Sequence, residues 1–253
     1  MSRSSNNIVG RQPVLEALRD GQQIERIFLQ KNIGGDAIDE IKVLAQKMQI
    51  PINAVPIEKL HSLTRANHQG IIAINSLVSY LDLQEAIDHV VSNGSVPLFV
   101  MLDGITDVRN IGAIARTAIC CGAQIMIIPD KGIAALNEEA VKSSAGALQK
   151  IMLCRVNSLL KAIDTLHLNG ILVYTAEMKA SAKVYEVDYT TPCCIVMGSE
   201  DKGIQAYLSK SADKHFTIPM QGNFDSFNVG IAAGITLFEA SKQRMFATEN
   251  SKK

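Results

Sequence analysis

Pro97-Leu98-Phe99-Val100-Met101-Leu102-Asp103 leads through Asp107-Val108-Arg109-Asn110 into Ile111-Gly112-Ala113-Ile114-Ala115-Arg116-Thr117-Ala118. The first part is a short apolar run with turn signals on both sides, the pattern of a strand buried on both faces. The second part carries apolar residues at helical spacing and is closed by Gly122. Asn110 falls at the expected N-cap of that helix. Working outward, strands are expected at Gln124 to Ile128, Ile151 to Cys154 and Ile171 to Thr175, and helices at Glu138 to Ser144 and Leu159 to Leu168. Strand and helix in alternation predict an α/β domain with a parallel sheet covered on both faces.

The preceding residues read as a smaller α/β domain. A helix from Pro13 to Arg19 ends at Gly21, a strand spans Ile24 to Leu29, and Ile38, Ile41, Leu44, Ala45 and Met48 form one face of a second helix. A strand at Ile52 to Val55, a short helix from Pro56 to Leu63 and a strand at Gly70 to Ile74 complete it. The expected division is a first domain over 1–76, a linker over 77–95 and a second domain over 96–253. Within the linker, a helix at Gln84 to Ser92 can join the second domain. The polar loop Arg65-Ala66-Asn67-His68-Gln69-Gly70 fits an RNA or partner contact, and equally a plain surface turn.

Composition bounds the function classes. With 253 residues, 47% of them hydrophobic, the chain can bury one or two cores without disulfides or metal. Five cysteines, including the pairs Cys120-Cys121 and Cys193-Cys194, have no zinc or redox spacing and suit a reducing cytoplasm. His61, His68, His89, His167 and His215 lack ligand spacing, so no metal is expected. No secretory leader or membrane-spanning run is legible after Met1. Twenty-five basic and 25 acidic residues cancel, and residues 1–76 hold nine basic against seven acidic, so any nucleic-acid contact must be local.

Two more segments share the build of the first. Cys193-Cys194-Ile195-Val196-Met197-Gly198-Ser199-Glu200-Asp201-Lys202-Gly203-Ile204 reads as strand, glycine turn and helix start. Gly198 lets a ligand approach the backbone, and Glu200 sits near the positive end of the expected helix. Ile218-Pro219-Met220-Gln221-Gly222 is a polar loop that precedes Ser226-Phe227-Asn228-Val229-Gly230-Ile231-Ala232-Ala233-Gly234, where Ser226 is a natural N-cap. Arg116 lies roughly 9 Å along the axis from Asn110, so the two heads can converge, although a lone helical arginine is ordinarily a solvated group.

In this order and spacing, the three blocks resemble the signature motifs of the SpoU/TrmH class of RNA ribose 2′-O-methyltransferases, from about Val96 to Phe246. Asn7-Ile8-Val9-Gly10-Arg11-Gln12-Pro13-Val14-Leu15-Glu16-Ala17-Leu18 resembles the start of the ribosomal-protein-like RNA-binding domain of the bacterial 23S rRNA guanosine 2′-O-methyltransferases (RlmB-like). The resemblance implies a trefoil-knotted domain, with the segments around Gly198 and Ile218 to Asn228 looped through one another. It also implies a homodimer whose site uses both chains. The helix Val229 to Phe238 could serve that packing, or burial within one core.

The implied cofactor is S-adenosyl-L-methionine, contacted by Gly198, Ile218 and Phe227, with Met220, Asn228 and the strand end Thr175-Ala176-Glu177 as further members. Asn110, Arg116, Glu200, Ser226 and Asn228 match the family's catalytic and substrate-positioning set. Arg116 is the residue that activates the 2′-hydroxyl in the family's scheme. A guanidinium is a poor base near neutral pH, so a phosphate-binding and electrostatic role fits it better than proton abstraction. Val108 stands where the family most often has proline, and Phe227 and Gly230 replace the usual leucine and serine. The implied substrate is a guanosine of 23S rRNA; tRNA ribose methylation is the alternative, as is a non-catalytic RNA-binding protein of the same fold. No G-x-G-x-x-G follows an expected strand, and Ile204 stands where a Walker lysine is required, which excludes the common nucleotide-binding classes.

Overall fold

The computed structural model describes residues 7–222 and 226–250. Contacts divide the chain after Ser79 into two compact units.

The first unit runs β1 (Asn7–Val9), α1 (Arg11–Arg19), β2 (Ile24–Gln30), α2 (Asp36–Lys47), β3 (Ile52–Val55), α3 (Ile57–Leu63) and β4 (Ile71–Asn75). Its sheet has the order β1-β4-β2-β3, with β4 antiparallel to both neighbours and β2 parallel to β3. The expected apolar face of α2 packs with α1 onto this sheet, burying Val14, Leu18, Ile27, Ile38, Ile41 and Ile71 completely or nearly so. Three residues of β1 carry too little alternation to show in sequence.

The second unit runs β5 (Tyr80–Leu81), α4 (Leu83–Ser92), β6 (Leu98–Leu102), α5 (Val108–Cys120), β7 (Ile125–Pro129), α6 (Glu138–Ser143), β8 (Met152–Val156), α7 (Leu159–Leu168), β9 (Leu172–Ala176), β10 (Ala182–Lys183), β11 (Cys193–Met197), α8 (Ala206–Lys210), β12 (Lys214–Thr217) and α9 (Val229–Asn250). Every strand pairing in its eight-stranded sheet, ordered β10-β12-β9-β11-β6-β7-β8-β5, is parallel. All five side chains of β6 and of β11 are buried, as a strand covered on both faces requires.

Residues 80–92 correct the expected linker. Tyr80 and Leu81 add a strand beside β8, and α4, capped by the Asp82 carboxylate on Gln84 N at 2.8 Å, buries Leu83, Ala86, Ile87 and Val90 in the second core. The apolar stripe of α4 gives this segment more to gain in the core than in water.

From β6 the chain steps through β7 to β8 on one side, then returns to place β9, β11 and β12 on the other. β6 and β11 are therefore neighbours at the point where the strand order reverses, the place where doubly wound sheets open a crevice at their carboxyl edge.

Candidate active site

At that edge, the loops after β9, β11 and β12 and the start of α9 enclose a cavity of about 360 Å³. Ala176 to Lys179, Met197 to Ile204, Thr217, Ile218, Met220, Ser226, Phe227, Val229 and Ala232 form its walls. Of the expected cofactor residues, Gly198, Ile218, Met220 and Phe227 line it, as do Glu200 and Ser226 from the catalytic set. Thr175 does not. It is fully buried, one residue short of the end of β9, and its hydroxyl is held by Glu177 Oε1 and His215 Nδ1, each at 2.7 Å.

The segment after β11 is a tight hairpin rather than a helix start. Ser199 N donates to Gly203 O at 3.1 Å, Gly203 N donates back to Ser199 O at 2.9 Å, and the helix begins only at Ala206. A Cβ on Gly198 would stand 2.3 Å from Gly203 C and 2.4 Å from Ile204 N. The glycine is required by the hairpin's own backbone, a nearer neighbour than any ligand.

Glu200 is nevertheless at a helix terminus, that of α9. Its Oε1 accepts from Val229 N at 3.3 Å, from Asn110 Nδ2 at 3.1 Å and from Asn228 Nδ2. Asn228 Nδ2 also donates to Asn110 Oδ1 at 3.0 Å. A carboxylate is favoured there by the partial positive charge of the helix start. Three residues from α5, the hairpin and the α9 terminus thus form one cluster at the cavity's edge.

Both expected caps are corrected. Asp107 caps α5 through its carboxylate on Arg109 N at 2.8 Å, which leaves Asn110 in the third helical position, where its side chain is released to reach Glu200. Asn228, not Ser226, caps α9: its Oδ1 accepts from Gly230 N at 2.9 Å and Ile231 N at 3.3 Å. With both amide atoms committed, Asn228 starts the helix and joins the cluster at once. Arg109 bonds to Asp107 across 2.8 Å, and this pair depresses the Asp107 carboxyl, chiefly by the side-chain hydrogen bond.

Arg116 stands apart from the cluster. It is exposed on α5, with no hydrogen bond or ion pair among the described residues. Six residues carry a helix about 240° beyond one full turn, so Arg116 and Asn110 point in different directions from one axis and do not meet. The face of α5 that carries Asn110, Ala113 and Thr117 abuts the small residues of α9: a Cβ on Gly230 would be 3.6 Å from Ala113 Cβ, and one on Gly234 3.9 Å from Thr117 Cγ2.

Two further acids shape the site: Asp103, which the sequence does not single out, and Glu177, which the resemblance puts at the strand end beside the cofactor. Asp103, 1% exposed at the end of β6, accepts from Gln205 N at 2.8 Å and Gln205 Nε2 at 2.5 Å, and so ties down the far end of the β11 hairpin. Its signal in the sequence is an acid directly after a fully apolar strand. Glu177 follows β9 and lines the cavity; burial alone would push its carboxyl up, but hydrogen bonds from Thr175, Ser209 and His215 outweigh that and hold it below the ordinary glutamate value.

Both units of the chain are similar to known proteins. The SpoU rRNA Methylase family matches residues 97–238, and the RNA 2′-O ribose methyltransferase substrate-binding family matches residues 7–81. A candidate TrmH-family tRNA/rRNA methyltransferase of Staphylococcus saprophyticus is 34% identical over 239 residues, covering 94% of this chain and 96% of the relative. The fold is shared with the SpoU methyltransferase AviRb of Streptomyces viridochromogenes, solved in complex with AdoMet: TM-score 0.61, 22% identity, 95% of this chain and 90% of that one covered. The A. aeolicus TrmH/SpoU tRNA modifying enzyme gives a TM-score of 0.56 at 26% identity over 67% of this chain and 87% of that one.

A parallel sheet with its cavity at the carboxyl edge, a polar cluster beside it and a substrate-binding module ahead of it define an RNA methyltransferase. The chain belongs to the SpoU/TrmH family.

Proposed function

We propose that this chain transfers the methyl group of S-adenosyl-L-methionine to a ribose 2′-hydroxyl of RNA, with a guanosine of 23S rRNA as substrate. The observation that carries the reading is the cluster of Asn110, Glu200 and Asn228 at the edge of a cavity of about 360 Å³. That volume lies within the ~300 to 1,000 Å³ range of small-molecule sites. Its wall suits the cofactor: Ile218, Met220 and Phe227 offer apolar surface, and Gly198 and the hairpin offer close backbone.

When bound, the cofactor supplies an already activated methyl group, so the protein's work is alignment and the handling of one hydroxyl proton. Gly198, Ile218, Met220 and Phe227 hold the cofactor side. Glu200 and Asn228, with Asn110 fixed between them, orient the ribose, and Ser226 lines the floor. Arg116 lacks an acidic partner among the described residues, which leaves its guanidinium available for the phosphate next to the target ribose and for the oxygen as it gains negative charge.

In this reading a second copy completes the site around Arg116. On α9, Ile231, Phe238 and Met245 recur at seven-residue spacing and are 56%, 64% and 57% exposed. Such an apolar stripe on an exposed helix is the mark of a partner surface, and it supports a homodimer. A trefoil knot is supported by the way Met197 to Ile204 share one cavity wall with Thr217, Ile218, Met220, Ser226, Phe227 and Val229. The first unit, up to Ser79, is the RNA-gripping domain in this reading, and the second, from Tyr80 with β5 and α4 included, is the methyltransferase domain. Among the described residues, no helix is long and apolar enough to cross a membrane and no group of His, Cys, Asp or Glu side chains could hold a metal ion.

The test is tritium transfer from labelled S-adenosylmethionine to undermodified 23S rRNA and, in parallel, to bulk tRNA. Label on a ribose 2′-oxygen of rRNA, lost in Arg116→Ala, is the expected result. Label on tRNA alone would replace the substrate, and no label on either would leave an RNA-binding protein of this fold.

A further inference from the structure

Near the far end of α9 stands Arg244, half-buried and with all three guanidinium nitrogens engaged. Nε donates to Tyr189 O at 2.8 Å, Nη1 to Val96 O at 2.7 Å, and Nη2 to Pro97 O at 2.8 Å and Thr191 O at 3.0 Å. Each of these acceptors is a backbone carbonyl. Val96 and Pro97 directly precede β6, and Tyr189 and Thr191 lead into β11. Pro97 O also accepts from Cys193 N at 3.0 Å, where the pairing of the two strands begins. Beside Arg244, Gln243 donates through Nε2 to Val187 O at 3.0 Å and accepts from Tyr189 N at 3.0 Å.

The segments joined there meet again at the opposite edge of the sheet. Asn110 lies in α5, the helix that follows β6, Glu200 stands in the hairpin that follows β11, and Asn228 caps α9. The strands β6 and β11 are fixed to each other along five paired residues. No such ladder holds α9. Beyond Val229, its buried side chains are Ala233, Thr236, Leu237 and Ala240, three of them small, and it meets α5 through Gly230 and Gly234 against Ala113 and Thr117. Small residues raise no deep ridges to seat in a neighbour's grooves, so packing alone sets the position of this helix along its axis only weakly. Hydrogen bonds do the rest: at its start α9 is tied to Glu200 by Asn228 Nδ2 and Val229 N, and 16 residues on, roughly 24 Å along the axis, by Arg244 to the strand starts.

We propose that Arg244 is a positioning residue for methyl transfer: it pins the far end of α9 to the starts of β6 and β11 and thereby sets where Asn228 and Val229 N meet Glu200. The proposal rests on the reading of the Asn110, Glu200 and Asn228 cluster as the part of the site that orients the ribose. Arg244 touches neither reactant and acts only through the helix. The guanidinium is suited to this because its planar fork holds several carbonyls in one fixed geometry, whereas a lysine in its place keeps the charge but offers a single ammonium with no fork.

Nuclear magnetic resonance and single-turnover kinetics test this together. In chains labelled with nitrogen-15 at asparagine, the side-chain amide signals of Asn110 and Asn228 report the cluster, and Glu200→Ala marks where they fall once it is opened. Arg244→Lys is expected to move both signals toward those positions, to bind S-adenosylhomocysteine as the full chain does in calorimetry, and to slow single-turnover methyl transfer to RNA by about 10- to 100-fold, the scale of a misplacement of about 1 Å. A lowered thermal midpoint with both signals unmoved would overturn the proposal and leave Arg244 a stabilising tie. Coupling between two sites is reciprocal, so Glu200→Ala, a change at an exposed hairpin residue, is expected to shift the Arg244 Nε–H signal of an arginine-labelled chain. An unmoved Nε–H signal would overturn the proposal even where Arg244→Lys does not fold. If the full chain transfers no methyl group, the reading of the cluster falls and the proposal with it; if it does and Arg244→Lys matches its rate, the proposal alone falls.

Discussion

The two ends of the cavity are built on different principles. At one end, Asn110, Glu200 and Asn228 come from three elements, and their mutual hydrogen bonds span 90, 28 and 118 residues of sequence. At the other, the wall is local backbone: the Ser199–Gly203 hairpin folded against Gly198, and the turn after β12 that carries Ile218 and Met220. The polar end is assembled by the fold and can be altered side chain by side chain; the backbone end is part of the fold, and a change there reaches stability and cofactor together.

The sharpest way to separate the two is a pair of variants. Arg116→Ala removes an exposed side chain with no partner among the described residues, so thermal stability and cofactor affinity should hold while methyl transfer falls about 10³-fold, as for loss of one preorganised charge contact. Single-turnover rates and calorimetric cofactor titration check both halves. Gly198→Ala should do the reverse. Its new Cβ would stand 2.3 Å from Gly203 C, so the hairpin must open, at a cost of about 3 kcal/mol in urea unfolding, with cofactor binding lost in proportion. A Gly198→Ala protein of unchanged stability would erase the distinction between the ends.

Asp103 tests whether the ends are joined. Buried at the end of β6, its carboxylate holds Gln205 by backbone and side chain, just past the hairpin that carries Glu200. Asp103→Asn keeps the shape but loses one acceptor to an amide donor, and should cost about 2 kcal/mol in urea unfolding, the worth of a hydrogen bond to a buried charge. Because the hairpin belongs to both ends, cofactor affinity and transfer rate should fall together. A fall in rate with affinity intact would show that Asp103 serves Glu200 alone.

What the sequence discloses divides in the same way. The strand and helix order of the second unit is legible because β6, β11 and α5 bury nearly everything that their patterns mark as apolar. The three motif blocks, matched to a family, point to Gly198, Glu200 and Asn228 without any geometry. The caps fall two or three residues from their expected places because Asp107 and Asn110, like Ser226 and Asn228, are all competent cap residues. The hairpin after β11 reads as a helix start, since glycine spacing alone does not reveal that Gly203 folds back on Ser199. The role of Asp103 stays hidden, as does the tie between Glu177 and His215, because the partners Gln205 and His215 lie 102 and 38 residues away. The strand β12 is masked by charge: Lys214 and His215 are exposed at an edge where Phe216 alone is fully buried.

The smallest effect expected is one of pH, and it concerns the acid between β9 and the cavity. The Glu177 carboxyl is held below its ordinary value of 4.5 by Thr175, Ser209 and His215, against the opposing pull of burial. A depressed carboxyl binds fewer protons in the folded chain than in the unfolded one, so its contribution to stability is present above about pH 4.5 and lost as pH falls through the folded value. Urea midpoints for the full chain should therefore decline from pH 6 to pH 4 more steeply than for Glu177→Gln. Asp107, Asp188 and Glu239 are depressed as well, but they are common to both proteins and cancel in the difference. With 31% of its side chain exposed, Glu177 is partly screened, and the difference should be modest. Parallel curves would mean that Thr175 and His215 lend the fold nothing through Glu177, and the backbone end of the cavity would then keep its stability wholly in the hairpin and the turn after β12.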